Sequence, residues 1–174
     1  MNSRQIDILC KTAVEAGNLI MEVYNDPNAD FETKQDNSPL TLADKLSHNH
    51  ITTVLKAEFP DIPIISEEDK ELVPYDTRKE YRRFWLIDPL DGTKEFIRKE
   101  RDFTVNIALI EGNTPILGIV YAPARKWLYL GDKDGARKVC DGKTTLLPSV
   151  STPEITAVRS KSHAKEAEEV LLNK

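Results

Sequence analysis

Apolar residues recur through the first part of the chain as Ile6, Leu9, Cys10, Ala13, Gly17, Ile20, Met21 and Tyr24. Steps of three and four residues place them on one stripe and predict a helix from about Ser3 to Tyr24. Between Asp26 and Pro39 the periodicity gives way to Pro, Asn, Asp and Ser, the composition of a loop. Thr41-Leu42-Ala43-Asp44 has the Thr-x-x-acid form of a capping box, so a second helix is expected to start there and to end before Pro60.

Beyond Asp61 the pattern shortens to that of strands. Ile62-Pro63-Ile64-Ile65 predicts a buried strand that delivers Ser66-Glu67-Glu68 at its end, and Phe84-Trp85-Leu86-Ile87 predicts another that stops at Asp88-Pro89-Leu90-Asp91-Gly92-Thr93. A polar stretch from Asp69 to Arg83 separates them. Phe103 to Ile110 alternates, turns at Glu111-Gly112-Asn113 and returns through Pro115 to Tyr121 as a hairpin. Trp127 to Leu130 and Ala136 to Val139 form a second hairpin around Gly131-Asp132-Lys133-Asp134-Gly135. Thr144 to Thr156, rich in Ser, Thr and Pro, reads as loop, and Ala164 to Leu172 as helix. Helices and hairpins in blocks predict a mixed α/β or α+β domain, a sheet covered by helices.

Composition narrows the functional classes. The chain has 174 residues, enough for one globular unit, and its net charge of −5 argues against holding nucleic acid by phosphate neutralisation. No stretch has the length of an apolar membrane span and the N-terminus lacks a signal-peptide core, so the cytoplasm is the expected location. Cys10 and Cys140 lie far apart in no metal-binding pattern and are expected to be small buried residues.

Chemistry is concentrated in Glu67, Asp88 and Asp91, which all follow predicted strands, where loops at strand ends commonly place functional groups. Converging carboxylates repel, and a hard divalent cation neutralises them; without His or Cys beside them, Mg²⁺ is the natural candidate. The plainer reading is solvated surface acids. Gly92-Thr93 shifts the balance, because Gly allows close backbone approach and the N–H groups after it can hold phosphate oxygens. A Thr93 hydroxyl can orient a water and a carboxylate can take its proton; Asp44 is the candidate, with helix capping an equally physical role. His48 and His50, two apart on a helix, point in different directions and are not expected to share a metal. Asp132-Lys133-Asp134-Gly135 reads as a turn. Lys34, and the cluster Lys94, Arg98, Lys99 and Arg101, read as solvated cations or as contacts to substrate charge.

The run from Trp85 to Phe96, WLIDPLDGTKEF, closely resembles the signature of the lithium-sensitive, Mg²⁺-dependent phosphatases, the superfamily of inositol monophosphatase and fructose-1,6-bisphosphatase; Ser66-Glu67-Glu68 stands upstream as that pattern expects. Lys94-Glu95-Phe96, with Asp36 to Asp44 and Phe103 to Ala108, is most similar to the 3′(2′),5′-bisphosphate nucleotidase branch. The resemblance reaches from the first helix to at least His163. It implies a sugar-phosphatase-like fold with a mixed, largely antiparallel sheet layered with helices. Residues 1 to about 150 would be the metal- and phosphate-binding part, and about 151–174 the start of a nucleotide-binding part. It also implies two or more Mg²⁺ ions held by Glu67, Asp88, Asp91 and the main-chain carbonyl of Leu90, with Asp44 and Thr93 activating water, assisted by Glu67. Glu67 and the corner Asp91, Gly92, Thr93 and Lys94 would meet the phosphate. Ser160 and His163, in Ser-Lys-Ser-His, would contact the nucleotide; Lys161 stands where the family has Arg, which keeps charge but not fork geometry.

The activity so implied is hydrolysis of adenosine 3′,5′-bisphosphate to AMP and phosphate, a step of sulfur assimilation and nucleotide recycling. Some relatives associate with the inner face of the bacterial membrane. Hydrolysis of inositol phosphates is the nearest rival, and an inactive metal- or nucleotide-binding form is the other. The family's further metal-binding Asp, in a Trp-Asp motif, has no counterpart here, since Leu follows both Trp85 and Trp127. The chain is therefore expected to be a fragment or a naturally short form with an incomplete C-terminal half. A sheet edge left uncovered can recruit a second copy.

Overall fold

The computed structural model describes residues 1–28, 39–69 and 73–148. Helix α1 spans Ser3–Asn25. Its start is fixed by a capping box in which Asn2 Oδ1 accepts the Gln5 N–H at 2.9 Å and Gln5 Oε1 accepts the Asn2 N–H at 3.0 Å. Leu9, Ala13, Ala16, Ile20 and Val23 form its buried stripe. Gly17 on the same stripe permits close approach to the sheet, for a Cβ there would lie 2.5 Å from the Tyr121 ring.

Helix α2 spans Pro39–Glu58 and packs along α1 through Ala43, Ile51 and Leu55. This corrects the expected start at Thr41. Pro39 opens the helix with a preset φ and no N–H to leave unpaired, so Asp44 falls inside the helix rather than at its cap.

Seven strands form one sheet in chain order: β1 Ile64–Ser66, β2 Arg83–Asp91, β3 Thr104–Glu111, β4 Thr114–Ala122, β5 Trp127–Asp132, β6 Gly135–Cys140 and β7 Lys143–Leu147. β1 and β2 are parallel, joined across a short helix α3, Tyr75–Arg78; every later pair is antiparallel. The fold is thus the mixed sheet covered by helices that the pattern predicts, largely antiparallel as the resemblance implies. Period-2 alternation buries Trp85, Ile87, Val105, Ile107, Leu109, Leu117, Ile119, Tyr121, Leu128 and Leu130 in the core with α1 and α2. Leu86 and Val120, out of phase with them, are exposed.

Strands β2 and β7 also differ from expectation. β2 continues past Ile87 to Asp91, because Asp88 still pairs with Asn106 and Asp91 with Thr104 after a register shift. β7 lies inside the segment read as loop; Asp141 and Gly142, both at positive φ, turn β6 into it. The cysteines are partly exposed, not buried, and both are free. The helix expected over 164–172 lies outside the described residues.

Candidate functional site

The parallel register sets the first acids side by side. Ser66 pairs with Ile87, and the Glu67 N–H donates to the Ile87 carbonyl at 3.1 Å, so Glu67, just past the end of β1, stands beside Asp88 of β2. The shift after Asp88 buries Pro89 and Leu90 and leaves Asp91 exposed opposite Thr104. Asn106 steadies it: Nδ2 donates to Asp91 Oδ2 at 3.3 Å while Asn106 Oδ1 accepts the Thr104 hydroxyl at 3.0 Å. From α2, Asp44 enters only 7 % exposed.

These groups act on one another. Burial pushes the Asp44 carboxyl up to about 8, helped by the charges of Glu68, Asp88 and Glu67. Burial likewise pushes Asp88 up to about 7, with the charges of Glu67 and Asp91 and a hydrogen bond to the Glu67 carboxyl adding to it, against a lowering bond from the Leu90 N–H. Asp44 and Asp88 therefore hold their protons to far higher pH than ordinary carboxylates. The sequence-predicted carboxylates are brought together, and Glu68 joins them.

They meet pairwise rather than as a closed cage. Among the described residues no group of three His, Cys, Asp or Glu side chains stands ready to share one ion. The site nevertheless fits a hard cation. Asp88 Oδ1 is buried with no hydrogen-bond partner among the described residues, and the surrounding donors are carboxylate oxygens.

The corner after Asp91 is fixed by Gly92, at φ +90°. A Cβ there would lie 2.7 Å from the Asp102 carbonyl oxygen and 3.0 Å from Phe103 Cα, so only glycine fits. Helix α4, Thr93–Ile97, follows, its first turn closed by the Phe96 N–H donating to the Gly92 carbonyl at 2.9 Å. Phe96 is wholly buried, edge-on to Phe103 at 5.4 Å, and α4 packs against α2, which carries Asp44. Thr93 and Lys94 are left exposed at the corner. In the basic cluster, Lys99 donates to the Tyr24 carbonyl and Arg101 Nε to the Ala124 carbonyl at 3.1 Å, so these two brace the fold.

The two histidines diverge as the helix period requires: His48 Nδ1 lies 2.8 Å from Ser66 Oγ, and His50 Nε2 3.1 Å from a Glu15 carboxylate oxygen on α1. The Asp132–Gly135 segment is a turn, with the Asp134 N–H donating to Asp132 Oδ1 at 2.9 Å. Ser160, His163 and Lys34 lie outside the described residues. Sequence reasoning missed Glu68, Asn106, and the tethers Ser47 and His48. For the last two a signal existed, since they follow Asp44 by one helical turn.

A model of the inositol monophosphatase family matches residues 1–173. The 3′(2′),5′-bisphosphate nucleotidase CysQ of Shigella flexneri is 43 % identical over 160 residues, covering 91 % of this chain and 64 % of the relative. The same-named protein of Escherichia coli K12 is 41 % identical over 161 residues, with 91 % and 64 % covered. The chain thus spans just under two thirds of the length of these relatives. The crystal structure of CysQ from Bacteroides thetaiotaomicron, 35 % identical, superposes with a TM-score of 0.85 over 98 % of this chain and 67 % of that one. An inositol monophosphatase from Anabaena, 28 % identical, gives 0.61 over 76 % and 45 %. The chain belongs to the inositol monophosphatase family.

Proposed function

We propose that the carboxylate cluster is the metal and phosphate site of a Mg²⁺-dependent phosphomonoesterase that hydrolyses adenosine 3′,5′-bisphosphate to AMP and phosphate. The observation that carries the reading is Asp88 Oδ1, buried and unpartnered among the described residues on a carboxyl that feels the charges of both Glu67 and Asp91. The substrate follows from the names of the CysQ relatives.

In this reading Glu67, Asp88, Asp91 and the Leu90 carbonyl hold two or more ions. Mg²⁺, when bound, supplies the positive charge that offsets these acids and polarises phosphoryl oxygens. Backbone and side chains from Asp91 to Lys94 hold the scissile phosphate against the rigid Gly92 corner. The Thr93 hydroxyl orients the attacking water, and Asp44, ionised once positive charge offsets the acids whose charges hold its proton, accepts the proton. Displacement is in line, without a covalent phosphoenzyme. Residues up to about 150 serve metal and phosphate, and Ser160 and His163 meet the nucleotide. The setting is nucleotide recycling in sulfur assimilation, in the cytoplasm or at the inner face of the membrane. No helix among the described residues is long and apolar enough to cross a membrane.

Phosphate release from adenosine 3′,5′-bisphosphate and from inositol 1-phosphate, with and without Mg²⁺, tests this. Mg²⁺-dependent release from the nucleotide is expected. Release from the inositol ester alone overturns the substrate, and release from neither leaves a metal- or nucleotide-binding module.

A further inference from the structure

We infer that Ser47 and His48 are positioning residues for the carboxylate cluster, an inference that rests on the reading of that cluster as a divalent-cation site. Asp44, Ser47 and His48 share one face of α2, because residues three and four apart lie above one another on a helix. The Ser47 hydroxyl donates to the Pro89 carbonyl at 2.8 Å, inside the irregular turn between Asp88 and Asp91. His48 Nδ1 bonds Ser66 Oγ at 2.8 Å, one residue before Glu67, and the same oxygen accepts the Glu68 N–H at 3.3 Å. Adjacent side chains of the helix that bears Asp44 therefore clamp both strand ends that bear the other acids.

The clamp is built to hold. Ser47 and Ser66 are buried, and the Ser66 N–H is satisfied by Asp69 Oδ2 at 2.8 Å. The Thr52 hydroxyl donates to the His48 carbonyl at 2.8 Å. What it holds resists being held, since ionised carboxylates at close quarters repel one another. Tethers anchored outside the cluster keep the ligands gathered without themselves touching ion or substrate, as outer partners of metal ligands do.

Mn²⁺ titration of the full chain, with amide hydrogen exchange at Glu67 and Glu68 and thermal unfolding alongside, tests the assignment. Ser47→Ala and His48→Ala are each expected to weaken Mn²⁺ binding about tenfold and to speed exchange at Glu67 and Glu68. His48→Asn, whose amide reaches the place of Nδ1, restores most of both. Ile51→Val, a core trim on the same helix, lowers the unfolding midpoint with Mn²⁺ affinity unchanged. Unchanged affinity and exchange in the alanine variants, or an equal loss in Ile51→Val, overturns the proposal. If the unmodified chain binds no Mn²⁺, the metal-site reading falls by itself, and exchange decides: faster in the alanine variants and recovered in His48→Asn keeps the tethers, unchanged exchange removes them.

Discussion

Glu67 directly follows Ser66, which pairs with Ile87, so its carboxyl stands beside that of Asp88 on the parallel strand β2 and its charge raises the proton affinity of the Asp88 carboxyl. Without a cation this pair is a cost the fold carries. Asp88→Asn removes the charge and keeps the shape, so in the presence of a chelator the variant is expected to unfold at a higher temperature than the parent above pH 7. With Mg²⁺ it is expected to lose phosphate release by roughly a hundredfold or more, the scale of losing a metal ligand. Parallel melting and phosphate assays check both. A variant less stable than the parent in chelator would show that the pair is not strained.

The same acids set a pH dependence whose sign follows from linkage. Asp44 near 8 and Asp88 near 7 lie above the ordinary carboxylate value of 3.8. Between about pH 4 and pH 8 the folded chain therefore binds more protons than the unfolded one. The contribution is complete below about pH 4 and is lost as pH rises through 7 and 8. In chelator, stability should fall over that window relative to an Asp44→Asn, Asp88→Asn double variant, and Mg²⁺ should stabilise the parent more at pH 8 than at pH 6, since ion and proton compete for the same oxygens. Denaturant titrations at several pH values measure it; a parent that gains on the double variant with rising pH would contradict the assignment.

What could be read beforehand follows the locality of each interaction. The stripe from Leu9 to Val23 and the turns at Gly112 and Gly135 are written in neighbouring residues, so α1 and both hairpins were legible. The acids at 67 and 91 were legible at strand ends, while Asp88 lies inside β2 just before its register shift. Asp44 stays ambiguous in the sequence because Thr41-x-x-Asp44 also fits a capping box; the helix from Pro39 removes the capping alternative. β7 was hidden because Thr and Ser suit both loops and edge strands. Asn106 and Glu68 act on partners across the fold, which no local pattern shows; for Ser47 the helical period marks the face it shares with Asp44 but not its partner Pro89.

Gly92 carries a backbone prediction. At φ +90° with the Asp102 carbonyl oxygen 2.7 Å from a would-be Cβ, Gly92→Ala meets both conformational strain and a clash with main chain. A loss of about 2 kcal/mol or more is expected, along with nearly all phosphate release. Gly112→Ala is the control: its φ of +57° is also left-handed, but nothing lies within 4 Å, so about 1 kcal/mol is expected and activity is retained. Urea titrations of the two variants should separate strain from collision, and equal losses would remove the special role of the Gly92 corner.

Asn106 tests whether the cluster depends on neutral neighbours. Its Nδ2 donates to Asp91 Oδ2 from the register position opposite Asp88. Asn106→Ala deletes that bond and is expected to weaken Mg²⁺ binding about tenfold with little change in folding, since the contact is solvent-exposed. Asn106→Asp instead places a further carboxylate 3.3 Å or so from Asp91, where like charges on adjacent strands repel. In chelator it should be less stable than Asn106→Ala above pH 7, and the gap should narrow when Mg²⁺ is added or the pH is lowered. Isothermal titration with Mg²⁺ and melting curves at pH 6 and 8 distinguish the two substitutions. If Asp and Ala at this position behave alike in chelator, Asp91 is not part of an electrostatically crowded site, and its place among the ion's ligands fails with it.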